Sequence, residues 1–211
     1  MAKYTKEAAR GIIFAGAAKY KEKLSDRQFL LIYKENSSKV LKSALVEFKP
    51  TNFKHLTGIV TELSAARFFR ICLDKRLSTK QFELDKYGNA QRKLDVLLLM
   101  PDVFYGRCWI GESINNDIYI NADYYVGDTH CVLSVGIRKT NAGDIPITLK
   151  KQSIREVVKK ESKVFAVASK FSADRDAAWE LTYCDKDFNA EAYLQDMQHG
   201  KDFSQIWCGR I

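Results

Sequence analysis

Histidine is nearly absent from this chain, with three in 211 residues, and proline is equally rare at three. Three prolines and eleven glycines exclude a linker-rich or disordered protein. Apolar runs such as Val96 to Met100 fall far short of the roughly 18 residues that a membrane-spanning helix needs. The N-terminus runs into an amphipathic stretch rather than a signal-peptide core, so an intracellular protein without a membrane partner is expected. No Cys-x-x-Cys pair occurs among Cys72, Cys108, Cys131, Cys184 and Cys208, and none is spaced from a histidine as in a zinc finger. Cys131 follows His130 directly, which sends the two side chains to opposite faces of a strand. Free thiols in a reducing compartment are therefore expected. Asp85, Asp95, Asp117, Asp123 and Asp128 lack the paired spacing of a two-metal site. Gly11 and Gly16 lie inside a helical pattern with no Lys-Ser/Thr after them, so no phosphate loop is present. Neither a metal nor a cofactor is expected.

What the chain does have is core-forming material and an uneven charge. Hydrophobic residues make up 46% and charged residues 28%, ordinary for one globular domain of this length. The net charge is +8, but residues 1–100 hold 20 Lys+Arg against 10 Asp+Glu, while residues 101–211 hold 14 against 16. A basic half favours RNA or another polyanion as partner.

The hydrophobic period changes along the chain. Residues 4–22 read as a helix with Ala8, Ile12, Ala15 and Ala18 in one apolar line, widened by Ile13 and Phe14. Gln28 to Tyr33 and Val40 to Phe48 read as a strand pair joined by a turn at Asn36-Ser37-Ser38. Leu63 to Leu73 is helical, Ser78 caps a short helix, and a further helix at about 90–100 is stopped by Pro101. From about 107, short β-branched and aromatic segments predict strands at 107–110, 117–125, 129–138, 163–171 and 178–184. A helical turn at 153–160 interrupts them, and a last helix follows Asp187. The expectation is a single α+β domain: a helical part with a β-hairpin over 1–105, then an antiparallel sheet of about four to five strands over 106–211.

Three features carry chemistry. Asn52-Phe53-Lys54-His55-Leu56-Thr57-Gly58 places an imidazole, a hydroxyl and an amide together between a strand and a helix. His55 titrates near neutral pH and can give or take a proton, or it braces a turn. Ile145-Pro146-Ile147-Thr148-Leu149-Lys150-Lys151 is an extended segment ending in a hydroxyl and two cations. Lys151, Arg155 and Lys159 are spaced by four, a stripe that suits a phosphate backbone or forms a solvated helix face. Tyr119, Tyr124 and Tyr125 are either stacking platforms for bases or strand packing residues.

The order of these motifs resembles a phage and mobile-element family grouped with the barnase–EndoU–colicin–RelE nucleases, as a fourth phage-type subfamily. The resemblance rests on Asn52 to Gly58, Arg76-Leu77-Ser78, the run Pro146-x-Thr148-x-x-Lys151-x-x-Ile154-Arg155 and the strand pair around 163–184. It implies a barnase/RelE-like nuclease fold and metal-independent RNA cleavage through attack of the 2′-hydroxyl on the adjacent phosphate, in the cytoplasm of a host cell. It casts His55 as base or acid, Thr57 and Thr148 as phosphate hydrogen-bonders, and Lys151 and Arg155 as charge stabilisers. Asn52, Lys54, Tyr124, Lys150 and Lys159 would contact nucleic acid. The family pattern Thr-x-Lys-x-x-Gly has a lysine where this chain has Tyr124. That departure motivates a second expectation, a catalytically silent nuclease fold that binds a host or defence-system protein.

Overall fold

The computed structural model describes all residues except 1–3, 36–39, 115–120, 130–131, 142, 175, 191–192 and 195–211. The turn at Asn36-Ser37-Ser38, Asp117, Tyr119, His130, Cys131 and Cys208 lie outside the described residues.

Helix α1 (Lys6–Lys23) starts where the Thr5 hydroxyl accepts from Ala8 N–H, and it ends with Lys21 and Lys23 against the negative pole of its dipole. Its buried line is Ala9, Ile13, Gly16, Ala17 and Tyr20, one residue out of step with the expected alanine line. Alanines pack almost anywhere, and Tyr20 is the anchor that sets the phase. Strands β1 (Arg27–Lys34) and β2 (Leu41–Phe48) pair antiparallel. Next come α2 (Phe53–Thr57), α3 (Ala65–Leu73) and α4 (Asn89–Leu97). Pro101 does not stop α4; it sits in the first turn of a separate 3-10 segment, Met100–Phe104, where its missing N–H costs nothing. Strands β3 (Trp109–Glu112), β4 (Tyr124–Asp128), β5 (Leu133–Arg138) and β6 (Ile145–Lys150) follow. The chain ends its described course with α5 (Ile154–Val157), β7 (Ser162–Phe171) and β8 (Glu180–Cys184), then further ordered residues that include Tyr193 and Leu194.

The sheet is larger than four to five strands. Its order is β2-β1-β7-β3-β4-β5-β6, with β8 also on β7. The N-terminal hairpin joins the later strands because β1 pairs along β7, while β3 and then β8 share the other edge of that ten-residue strand. A pairing between residues some 135 apart in sequence leaves no local signal. The sheet curls until β2 meets β6, at a parallel bridge between Val46 and Asp144 and a 2.8 Å bond from Glu47 N–H to the Asp144 carbonyl.

Helices α1 to α4 fill one end of the curl. Tyr20, Phe29, Phe48, Phe53 and Phe104 are fully buried there and meet in tilted or edge-on pairs 4.9–6.1 Å apart, the arrangement the ring quadrupole favours. Strand alternation then divides neighbours. Tyr124, Val126, Val135, Ile137 and Leu149 face this core, whereas Tyr125 points to the other face, where α5 lays Ile154, Val157 and Val158 over it. Cys72 and Cys108 are buried free thiols and Cys184 is an exposed one; burial pushes the Cys72 thiol up to about 12.

Candidate nucleic-acid interface

The Asn52–Gly58 segment is a short helix pinned on all sides. Asn52 Oδ1 accepts from Lys49 N–H at 2.7 Å. Phe53, Leu56 and Thr57 are fully buried, so one face of α2 is core. The Thr57 hydroxyl donates to the Lys54 carbonyl at 2.7 Å and accepts from Ile59 N–H. Thr57 therefore closes the helix and presents nothing to a phosphate. Gly58 ends it at φ 70°, a left-handed turn that glycine adopts without a steric cost. Lys54 Nζ donates to the carbonyls of Thr61 and Leu63 at 3.0 and 2.7 Å, and Lys93 Nζ donates to the His55 carbonyl at 2.9 Å. His55 itself is exposed. Local desolvation first, then the positive fields of Lys54, Lys93 and Arg138, hold its imidazole below the ordinary value of 6.5. At neutral pH the ring is uncharged and able to accept a proton.

The other expected site residues do not join it. Thr148 is buried on the Tyr125 face of the sheet, its methyl against Gly136 and its hydroxyl without a hydrogen-bond partner. Lys150 lies over the Tyr125 ring at 5.3 Å, on that same face. Lys151 reaches back to α4, where Asp95 takes its ammonium at 2.9 Å and also accepts from the Tyr4 hydroxyl at 2.6 Å. Arg155 on α5 pairs with Glu161 at 2.9 Å, and Lys159 with Glu112 at 3.1 Å. α2 packs on the Tyr124 side of the sheet and α5 on the Tyr125 side, so the sheet stands between His55 and Arg155. The five groups expected around one phosphate, His55, Thr57, Thr148, Lys151 and Arg155, do not share a cleft. Thr57 is spent on closing α2 and Lys151 on Asp95, while the sheet separates Thr148 and Arg155 from His55.

A different concavity does exist. At the end of the curl away from the helices, the strand ends enclose a cavity of about 600 Å³, the size of an ordinary small-ligand site. Tyr33 and Tyr124 line it. The Tyr124 hydroxyl donates to Asp144 Oδ2 at 2.7 Å; burial first, then that bond, raises its pKa far above the usual tyrosine value, so it stays protonated. Lys42 pairs with Glu35 at 2.6 Å, the bond that raises its pKa, and Lys159 with Glu112. Lys139, Lys160, Asp123 and Asp144 complete the charged lining, without an ion pair among the described residues. Four lysines and four carboxylates make the mouth electrically balanced. Of these residues Tyr124 and Lys159 stood out in sequence; the others come from the ends of separate strands.

Among the described residues no cluster of three or more His, Cys, Asp or Glu side chains could hold a metal ion, and no helix is long and apolar enough to cross a membrane. Residues 12–186 match the family described as phage-Barnase-EndoU-ColicinE5/D-RelE like nuclease4. No curated protein and no solved structure matches the chain.

Proposed function

This chain belongs to that family of phage nuclease-like proteins, and we propose that it cleaves RNA at the mouth of its curled sheet. The observation that carries this reading is the mouth itself: a nucleotide-sized cavity on the concave side, with aromatic rings and charges of both signs. Asp144 is the base in this proposal. Its carboxylate takes the 2′-hydroxyl proton, the 2′-oxygen bonds to phosphorus, and the bond from phosphorus to the 5′-oxygen breaks. Lys139 and Lys160 hold the charge that builds on the phosphoryl oxygens, and Lys139 returns a proton to the leaving oxygen. Tyr124 fixes the carboxylate rather than reacting, and the ring of Tyr33 offers a face for the base. His55, far from Arg155, has no place in the chemical step.

The test is incubation of the purified protein with mixed RNA in EDTA, with end-group analysis of the products. Cyclic or 3′-phosphate ends are expected, and Asp144→Asn should lower the rate by about 100- to 10,000-fold, the range for a general base. An unchanged rate in Asp144→Asn removes the mouth from the reaction. A second reading, a silent nuclease fold that binds and inhibits a host or defence-system protein, is favoured by Tyr124, whose hydroxyl is committed to Asp144 where the family pattern has a cation. Isolation of a stable protein partner from host extract, with no RNA products, would support it.

A further inference from the structure

Among the described residues the curl of the sheet is closed by a single bridge. β2 meets β6 where Val46 bridges Asp144 in parallel and Glu47 N–H donates to the Asp144 carbonyl at 2.8 Å. Ahead of Asp144 the chain turns away into β5, its hairpin partner. From Leu45 back to Leu41, β2 therefore has no neighbouring strand on that side among the described residues. Backbone groups alternate along a strand, and those of Glu47 point away from β1, so those of Leu41, Ser43 and Leu45 do too. This edge is one wall of the mouth. The consecutive residues Lys42, Ser43, Ala44 and Leu45 all line it, whereas a strand face would contribute alternate residues. Lys42, Ser43 and Leu45 are exposed. An exposed edge of this kind is a template for a further strand.

The described chain stops beside this edge. Tyr193 and Leu194 are buried against Leu30, Ile32 and Leu41, on the face of β1 and β2 turned away from the main core, and Tyr193 lies beside Ser43. Residues 195–211 follow, beyond the described part and beyond the family match, which ends at 186. Within them Phe203-Ser204-Gln205-Ile206-Trp207-Cys208 carries aromatic and β-branched residues, no charge and no proline, between Gly200 and Gly209. That is the composition of a strand bounded by turn residues. Residues 195–202 supply about 26 Å of extended chain ahead of it, more than the roughly 17 Å of a five-residue edge.

We propose that residues 203–208 add to the open edge of β2 as a further strand and cover the mouth. Alternation sends Phe203, Gln205 and Trp207 to one side and Ser204, Ile206 and Cys208 to the other. The two rings enter the mouth, which Tyr33 and Tyr124 line, and Ile206 falls on the outer side with Leu41 and the exposed Leu45. The mouth holds four lysines and four carboxylates, so an uncharged segment enters it without leaving an excess of either sign. RNA must displace this strand to enter, which makes the chain its own competitor. The strand stands apart from the cleavage reading, and only its effect on RNA rests on that reading.

Amide hydrogen exchange of the full chain, read residue by residue, tests this. In the wild type the Ser43 and Leu45 amides should exchange at least about tenfold more slowly than in Gln205→Pro/Ile206→Pro. Two adjacent prolines remove a ladder donor in either register. The amides of Leu31 and Ile32, held between β2 and β7, should exchange alike in both proteins and report an intact sheet. Phe203→Ser/Trp207→Ser, which removes the rings and leaves the backbone able to pair, should also speed exchange at Ser43. Lys201→Pro, outside the segment, should keep the wild-type rates. Equal exchange at Ser43 and Leu45 in the wild type and both double variants overturns the strand. Protection that grows with protein concentration overturns it too, by assigning the edge to a second copy of the chain. With ordinary RNA, Gln205→Pro/Ile206→Pro should cleave about tenfold faster than the wild type, because its mouth is open more of the time. Slow Ser43 exchange in the wild type alone, with no RNA products from either protein, sinks the cleavage reading and leaves the strand in place. Equal exchange with RNA products from both does the reverse.

Discussion

The cations in and beside α5 differ from Lys54 and Arg138, near α2, in what their charged ends meet. Lys151, Arg155 and Lys159, a regular stripe in sequence, are each met by a carboxylate drawn from a distant or looping segment: Asp95, Glu161 and Glu112. Lys54 and Arg138 show no regular spacing; Lys54 ends on carbonyls and Arg138 leans on one, with no carboxylate paired to either among the described residues. The count of lysines and arginines in a segment thus gives the charge present, not the charge available. Exposed ion pairs of the α5 kind add little stability, but they cancel a field that a phosphate would otherwise feel. The stripe that looked built for a polyanion is screened, and Lys54 and Arg138 near His55 are not paired with a carboxylate among the described residues.

The sharpest way to break this comparison is to remove the platform under each region. Phe53 is fully buried with Tyr20 and Phe69 ring centroids both at 5.2 Å, so Phe53→Ala should cost about 3–5 kcal/mol in urea unfolding. It should also flatten the salt dependence of RNA binding, since α2 loses its seat. Ile154→Ala under α5, costing about 2–5 kcal/mol, should leave that dependence unchanged. Equal loss of salt dependence in both variants would erase the distinction.

A smaller effect is expected at Gly58. Its φ of 70° and the Lys93 Cδ only 2.7 Å from where a Cβ would stand make Gly58→Ala both strained and crowded. The strain alone is worth about 1–2 kcal/mol, measurable as a lower melting temperature. Lys93 should be displaced. Smaller again, Glu161→Gln and Glu112→Gln should each release a masked cation and raise the slope of log RNA affinity against log salt by up to about 0.7. No change in either would mean that neutralisation is not what silences the stripe.

The smallest prediction concerns pH. The folded-state value of His55 lies below 6.5, so the folded protein binds fewer protons than the unfolded chain in that range. The associated stability is complete above about pH 6.5 and is lost as pH falls through the depressed value. Lys54, Lys93 and Arg138 are the charges acting on the ring. Melting temperatures of wild type and His55→Gln between pH 7.5 and 5.5 should converge at the acid end.

Much of the fold was legible locally. Periodicity and caps located α1, α3, the hairpin and most later strands to within a few residues, because each of these is decided by its own side-chain pattern. The Asn52–Gly58 segment was legible as a special place, and its glycine and amide have distinct structural tasks. The phase of α1 was not, since alanine fits either face. The strand at 117–125 was drawn too early: β4 begins at Tyr124, and residues 115–120 lie outside the described part. The five expected residues are not brought together, for separate reasons: Thr57 closes its own helix, Lys151 is taken by Asp95 on α4, and the sheet layer stands between α2 and both Thr148 and Arg155.

The sequence by itself determined the α+β character, the family and the basic first half, because composition and periodicity are properties of the chain alone. Tertiary structure decided the size of the sheet, through the long-range pairing of β1 with β7. It also decided which lysines meet carboxylates and which meet carbonyls, and that Lys42, Lys139 and Asp144 share a mouth. Charge cancellation and cavity formation depend on distances between residues far apart in sequence, and those distances exist only once the sheet has curled.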